Sequence, residues 1–105
     1  MLNDSELAKI NKDICGTDIT QVSEVFGALS EPNRCLIFRT LINTDEICVG
    51  QIAKLINLSE PLASQHLKIL YDRHLLSKRK SGKRVYYKLN RSNHLVETLI
   101  EATSK

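Results

Sequence analysis

The sequence is poor in the residues that punctuate, cross-link or anchor a chain. Its 105 residues hold no tryptophan, three tyrosines, two phenylalanines, two prolines and four glycines. So few breakers leave little room for long irregular loops, and no internal repeat or low-complexity segment is visible. No apolar run approaches the roughly 18 residues that a membrane-spanning helix requires. The opening stretch, MLNDSELAKINKD, is polar and of mixed charge, unlike a secretory signal, so a cytoplasmic address is expected. Cys15, Cys35 and Cys48 are odd in number and have no framework spacing, which argues against a disulfide scaffold. Enzymatic signatures are missing too. There is no nucleophile elbow and no phosphate-cradling glycine loop, and the three histidines lack a carboxylate partner at useful spacing. No catalytic activity is expected.

One absence is informative by position. Between Asp72 and Glu97 there is no acid, yet the segment carries eight Lys or Arg. The first 31 residues run the other way, with six acids against two bases. A net charge of +3 hides this polarity. A dense basic stripe is the electrostatic footprint of a polyanion site, although alone it also fits a solvated face. At 42% hydrophobic and 26% charged, the chain reads as one soluble globular domain over 1–105. A domain this small buries a modest share of its surface, so burial against a partner is expected.

Periodicity sets out the elements. Residues 4–13 read as a helix capped by Asp4 or Ser5, with Leu7, Ile10 and Ile14 at helical spacing, in an N-terminal arm over 1–16. Cys15 to Asp18 reads as a break, and Thr17 or Asp18 caps a second helix striped by Ile19, Val22, Phe26 and Leu29. Ser30, as N-cap, and Pro32 open a third helix through Ile37, Phe38 and Leu41. Val49, Ile52, Ala53 and Ile56 make a short amphipathic helix. Asn57-Leu58-Ser59 is too brief to be flexible. Ser59 then caps a helix with Pro61 in its first turn and Ala63, Leu67 and Leu70 inside. Two helices joined so tightly, over 49–73, form a helix-turn-helix. Residues 77–90 change period. Val85, Tyr87 and Leu89 alternate with Tyr86 and Lys88, and Ser81-Gly82 supplies a hairpin turn. A last helix over 92–103 lines up Leu95, Leu99 and Ala102.

The expected fold is therefore mainly α with a two-stranded β-hairpin, a winged helix-turn-helix of order α-α-α-α-α-β-β-α. Its terminal helices are more apolar than one subunit can cover, which predicts a homodimer held through Ile19, Val22, Phe26, Leu95 and Leu99.

Four stretches in this order resemble the ArsR/SmtB family of winged-helix repressors, over about residues 20 to 100. They are ALSEPNR (28–34), EICVG (46–50), LSEPLASQHLKIL (58–70) and RKSGKRVYYKL (79–89). The resemblance implies a homodimer that represses its own operon and leaves DNA when an inducer binds.

A recognition helix presents its N-terminal turns to the major groove. The residues facing away from the Ala63 stripe are Glu60, Leu62, Ser64, Gln65 and Lys68, with Ser59 at the cap. Gln65 suits an adenine edge, Ser64 is permissive, and Lys68 suits a phosphate. Glu60 reads as a cap-region acid or a cytosine acceptor, and His66, beside Leu67, as packed rather than reading. Lys80, Lys83 and Arg84 would reach flanking phosphates or the minor groove, with Lys78 and Arg79 as lesser candidates. Double-stranded DNA with a two-fold operator is the expected partner.

The resemblance also implies two metal-sensing sites, each half filled. Cys48 matches the thiolate position at the start of the helix-turn-helix, but Gly50 stands where a second cysteine is frequent and Gln51 where an acid would be. Cys15 would be the arm thiolate. In the last helix His94 fits, but Ser92 replaces the expected Asp. A zinc site between the last helices is therefore not expected, and Cys35 reads as core. Cys15 and Cys48 are the candidates for a soft metal or metalloid ion, or for a thiol–disulfide cycle. The alternatives are a redox-responsive or non-metal-sensing member of the fold, and a protein-binding winged helix.

Overall fold

The structure, a computed structural model, describes residues 1–15 and 19–103, the side chains of residues 13–15 excepted. Its order is α1 (Asp4–Cys15), α2 (Ile19–Leu29), α3 (Pro32–Ile42), β1 (Ile47–Cys48), α4 (Val49–Ile56), α5 (Glu60–Asp72), β2 (Leu76–Ser81), β3 (Arg84–Leu89) and α6 (His94–Thr103). β1 is an addition to the expected hairpin. It pairs antiparallel with β3, Ile47 opposite Tyr87 and Cys48 opposite Tyr86, giving a sheet of order β1-β3-β2. Two residues carry no readable alternation, so this strand has no signature in sequence.

One core joins the elements. Ile37, Phe38 and Leu41 of α3, Ile52 of α4, Leu67 and Leu70 of α5, and Val96 of α6 are each at most 1% exposed. Burying such a side chain is worth about 1.5–3 kcal/mol. Tyr87 and Leu89 of β3 close the sheet side of the core, and burial raises the Tyr87 hydroxyl's pKa. Leu99, expected at the dimer contact, is 2% exposed inside this core and has no surface left for a partner. Val22 and Leu95 are half-buried, while Ile19 and Phe26 stand exposed. Cys35 is half-buried rather than a core residue.

Several caps differ from expectation for local reasons. At α1, Asn3 Oδ1 accepts the Glu6 N–H at 2.8 Å and the Glu6 carboxylate accepts the Asn3 N–H at 3.4 Å. This reciprocal pair does the work expected of Asp4 or Ser5. At α3 the N-cap is Glu31, whose carboxylate accepts the Arg34 N–H at 2.9 Å. Ser30 instead donates its hydroxyl back to the Gly27 carbonyl. Cys15 is still helical, and the expected break and cap at 16–18 lie outside the described residues. α6 starts at His94, after Asn93 Oδ1 accepts the Leu95 N–H.

α1 projects from this body. All its described side chains are exposed, including Leu7 and Ile10 at 50% and 42%. The radius of gyration is 17.2 Å, where a compact chain of this length has about 13 Å.

Candidate nucleic-acid interface

The helix-turn-helix is fixed by three local devices. Cys48 caps α4, its backbone N–H and its Sγ both reaching Gln51 Oε1, at 3.3 and 3.4 Å. Asn57 ends α4 in the left-handed region (φ 58°), a conformation asparagine tolerates. Ser59 Oγ accepts the Leu62 N–H at 3.3 Å and Pro61 sits in the first turn, so α5 starts abruptly. An N-cap of this kind is worth about 1 kcal/mol. Far along α5, the Leu75 and His74 N–H groups bond back to the Leu70 and Tyr71 carbonyls, with His74 left-handed (φ 64°). That closing motif normally takes glycine. Here the His74 carbonyl also receives the Asn90 and Asn93 amides, at 3.0 Å each.

Ala63, Leu67 and Leu70 are fully buried, which turns Ser64, Gln65 and Lys68 to solvent, as the helical period requires. Lys68 Nζ bonds Asp72 Oδ2 at 2.8 Å, and this bond raises the ammonium's pKa and lowers the carboxyl's. The Lys68 side chain is 74% exposed, so the pair is a weak surface bridge. His66 is packed, as expected. Its side chain is 12% exposed, with Nδ1 lying 3.8 Å from Glu31 Oε2 and 3.4 Å from Arg34 Nη1. Arg34 also donates to the Ala28 carbonyl, so the α2–α3 corner holds the back of α5.

The hairpin turns at Gly82-Lys83, one residue later than expected, because Ser81 pairs with Arg84. Gly82 has φ 61°, the conformation that a glycine-first two-residue turn needs. The basic residues of the wing then divide into two groups. Arg79 holds Glu46 through Nε and Nη2 at 3.1 Å each and lies 5.1 Å from the Tyr86 ring centre. This lowers the Glu46 carboxyl's pKa and raises the guanidinium's. Lys78 covers the Tyr71 ring at 4.2 Å. Both are spent on pinning the hairpin to the body. Lys80, Lys83 and Arg84 are exposed, and among the described residues no carboxylate lies within ion-pair distance of them.

A groove of about 410 Å³ runs between the helix-turn-helix and the wing, bordered by Cys48, Gly50, Lys54, Glu60, Lys83 and Arg84. The start of α5 and the tip of the hairpin thus share one side of the subunit. Lys54 was not singled out from sequence, although helical spacing from Gly50 would have placed it here. Glu60 lies against α4, so close that a Cβ on Gly50 would stand 2.7 Å from Glu60 Oε1. Its carboxylate therefore rests on the helix-turn-helix itself. This fits the cap-region role better than that of a cytosine acceptor.

Cys48 is half-buried at the edge of this groove. Among the described residues no three of His, Cys, Asp and Glu gather into a metal-holding group. Cys48's thiol bonds the Gln51 amide oxygen, a poor metal ligand, so the described residues do not make up a closed metal site. Cys15's side chain lies outside the described part, and His94 is exposed at the start of α6.

A capped helix-turn-helix followed by a hairpin whose tip carries unpaired cations defines a winged helix-turn-helix protein. The family described as bacterial regulatory protein, arsR family, matches residues 31–78. The chain is 33% identical over 100 residues to a cadmium resistance transcriptional regulatory protein CadC homolog of Staphylococcus aureus, covering 95% of this chain and 81% of that one. It is 36% identical over 69 residues to the transcriptional repressor SdpR of Bacillus subtilis, covering 66% of this chain and 76% of that one. The solution NMR structure of the homodimeric winged helix-turn-helix DNA-binding domain Mb0332 from Mycobacterium bovis superposes with a TM-score of 0.69 at 25% identity. It covers 99% of this chain and 85% of that one. The chain belongs to the arsR family of transcriptional regulators, as the four sequence stretches implied.

Proposed function

We propose that the chain is a homodimeric, autoregulated repressor that reads a two-fold operator and is released by an inducer. The observation that carries this is the shared groove, which Glu60 at the start of α5 borders together with the unpaired Lys83 and Arg84 of the wing tip, while Ser64, Gln65 and Lys68 of α5 and Lys80 of the wing stand exposed. α5 lies in the major groove, where Gln65 reads an adenine edge and Ser64 accepts several bases. Lys68 exchanges Asp72 for a phosphate, and Lys80, Lys83, Arg84 and Lys54 take flanking phosphates. Ser59 and Glu60 set the angle of α5. The second copy covers Leu7 and Ile10 of α1 and Ile19 and Phe26 of α2, with Val22 and Leu95 at the margin. The polar α5 surface favours DNA over a protein partner, and a cytoplasmic address follows from that role.

A gel shift on the DNA upstream of its own gene tests the reading. A dimer-sized complex on that fragment, outcompeting random duplex, is expected. Binding no tighter than to random DNA refutes autoregulation.

The inducer acts at the thiols of Cys15 and Cys48. Titrating the operator complex with Zn(II), As(III) and an oxidant should show release by a thiophilic agent and not by Zn(II). Release by Zn(II), or an unchanged response in a Cys15→Ser/Cys48→Ser double variant, refutes it.

A further inference from the structure

On the side of α5 that faces away from the core, the first turn carries a large aliphatic side chain, while Tyr71, the other exposed large hydrophobic of the helix, is covered by Lys78. Leu62 is 39% exposed, beside Ser59, Ser64, Gln65 and Lys68, all exposed and polar. It lies in the first turn of α5, where its own N–H is held by the Ser59 cap. The core is complete without it, since Ala63 and Leu67 fill the inner positions at 0% exposure. A leucine kept in water between the hydroxyl of Ser59 and the amide and ammonium of Gln65 and Lys68 forgoes burial, and regains it against an apolar surface. The major groove offers one such surface, the C5-methyl group of thymine.

We propose that Leu62 is a specificity-determining residue that packs on a thymine methyl in each operator half-site. The inference rests on the DNA-reading role of α5 given above and adds a position to it. Leu62 and Gln65 are three apart on the helix, hence neighbours about 5–6 Å apart at Cβ. The thymine therefore lies within about two base steps of the adenine that Gln65 reads, at the 3.4 Å rise of each step. Burying one methyl should tighten binding about fourfold, which is about 0.8 kcal/mol at 1.4 kcal/mol per tenfold. Both half-sites together give about 15-fold.

The test needs no knowledge of the natural operator. The protein selects its site from a randomised duplex pool. Each thymine of that site is then replaced by deoxyuridine, symmetrically in both half-sites, which removes the methyl alone. For the wild type, one position near the Gln65 adenine should cost about 15-fold. The exposed position makes Leu62→Ala a safe variant for folding. It should bind random duplex as the wild type does and be indifferent to the methyl at that position. If no replacement weakens the wild type, or if Leu62→Ala loses as much as the wild type, the leucine is not the reader and the inference fails while DNA binding stands. If no sequence is enriched from the pool, the repressor reading falls and the inference with it.

Discussion

Replacing Lys83 and Arg84 together by alanine isolates the wing's electrostatic share. Neither side chain is paired with a carboxylate among the described residues, and both are exposed, so the fold loses nothing it uses. Lys83 occupies the second turn position, whose φ is not positive, so alanine fits there too. If each side chain takes one phosphate, a dimer loses four. At a slope of about −0.9 in log K against log salt per phosphate, the plot flattens by about 3.6. Between about 50 and 200 mM salt the wild type should then lose about 150-fold more affinity than the variant does. Phosphates carry no sequence, so operator and random duplex should weaken by similar factors. Fluorescence anisotropy with a labelled duplex across that salt range reads both quantities, and a thermal melt verifies the fold. An unchanged slope, or a loss confined to the operator, would refute the wing as a phosphate arm.

Three further outcomes follow from single contacts. Leu67→Ala empties a fully buried position and should cost about 2–5 kcal/mol in denaturant unfolding; a loss below 1 kcal/mol would deny that α5 anchors the core. His74→Gly relieves a left-handed backbone at φ 64° while keeping the carbonyl that the two asparagines use, so it should stabilise by about 1 kcal/mol; a fall in Tm contradicts this. Arg79 holds the Glu46 carboxyl below its ordinary 4.5, so folding gains from the pair above that value and loses the gain as pH falls through the lowered one. Melting curves of the wild type should therefore drop toward those of Glu46→Gln as the solution is acidified through that window, and parallel curves would refute the coupling.

The legible part of this protein is the part set by local chemistry. Ser59, Pro61 and the Ala63, Leu67, Leu70 spacing place α5 to within a residue, because cap, ring and period all act over one or two turns. The acid-free stretch after Asp72 marks the wing for the same reason. The caps were less legible where two polar residues stood side by side. Ser30 suits an N-cap by residue type and Glu31 does not, yet the path of α3 gives the role to Glu31. The hairpin turn slipped by one because Ser81 and Gly82 fit a turn equally well, and pairing with β3 breaks the tie.

By itself the sequence determined the six helices and the two hairpin strands of the described residues, though not the two-residue β1, and which faces are apolar or cationic, since those follow from residue type and spacing. Only tertiary structure decided which charges remain available. The sequence ranked Arg79 and Lys78 below Lys80, Lys83 and Arg84 without giving them partners; the fold supplies those partners, Glu46 from 33 residues away, Tyr86 across the hairpin and Tyr71 from α5, and leaves the other three unpaired. It likewise sent Leu99 inward, left Leu62 in water, and set Glu60 on Gly50. Each of these depends on what the fold brings alongside a residue, which no local pattern encodes.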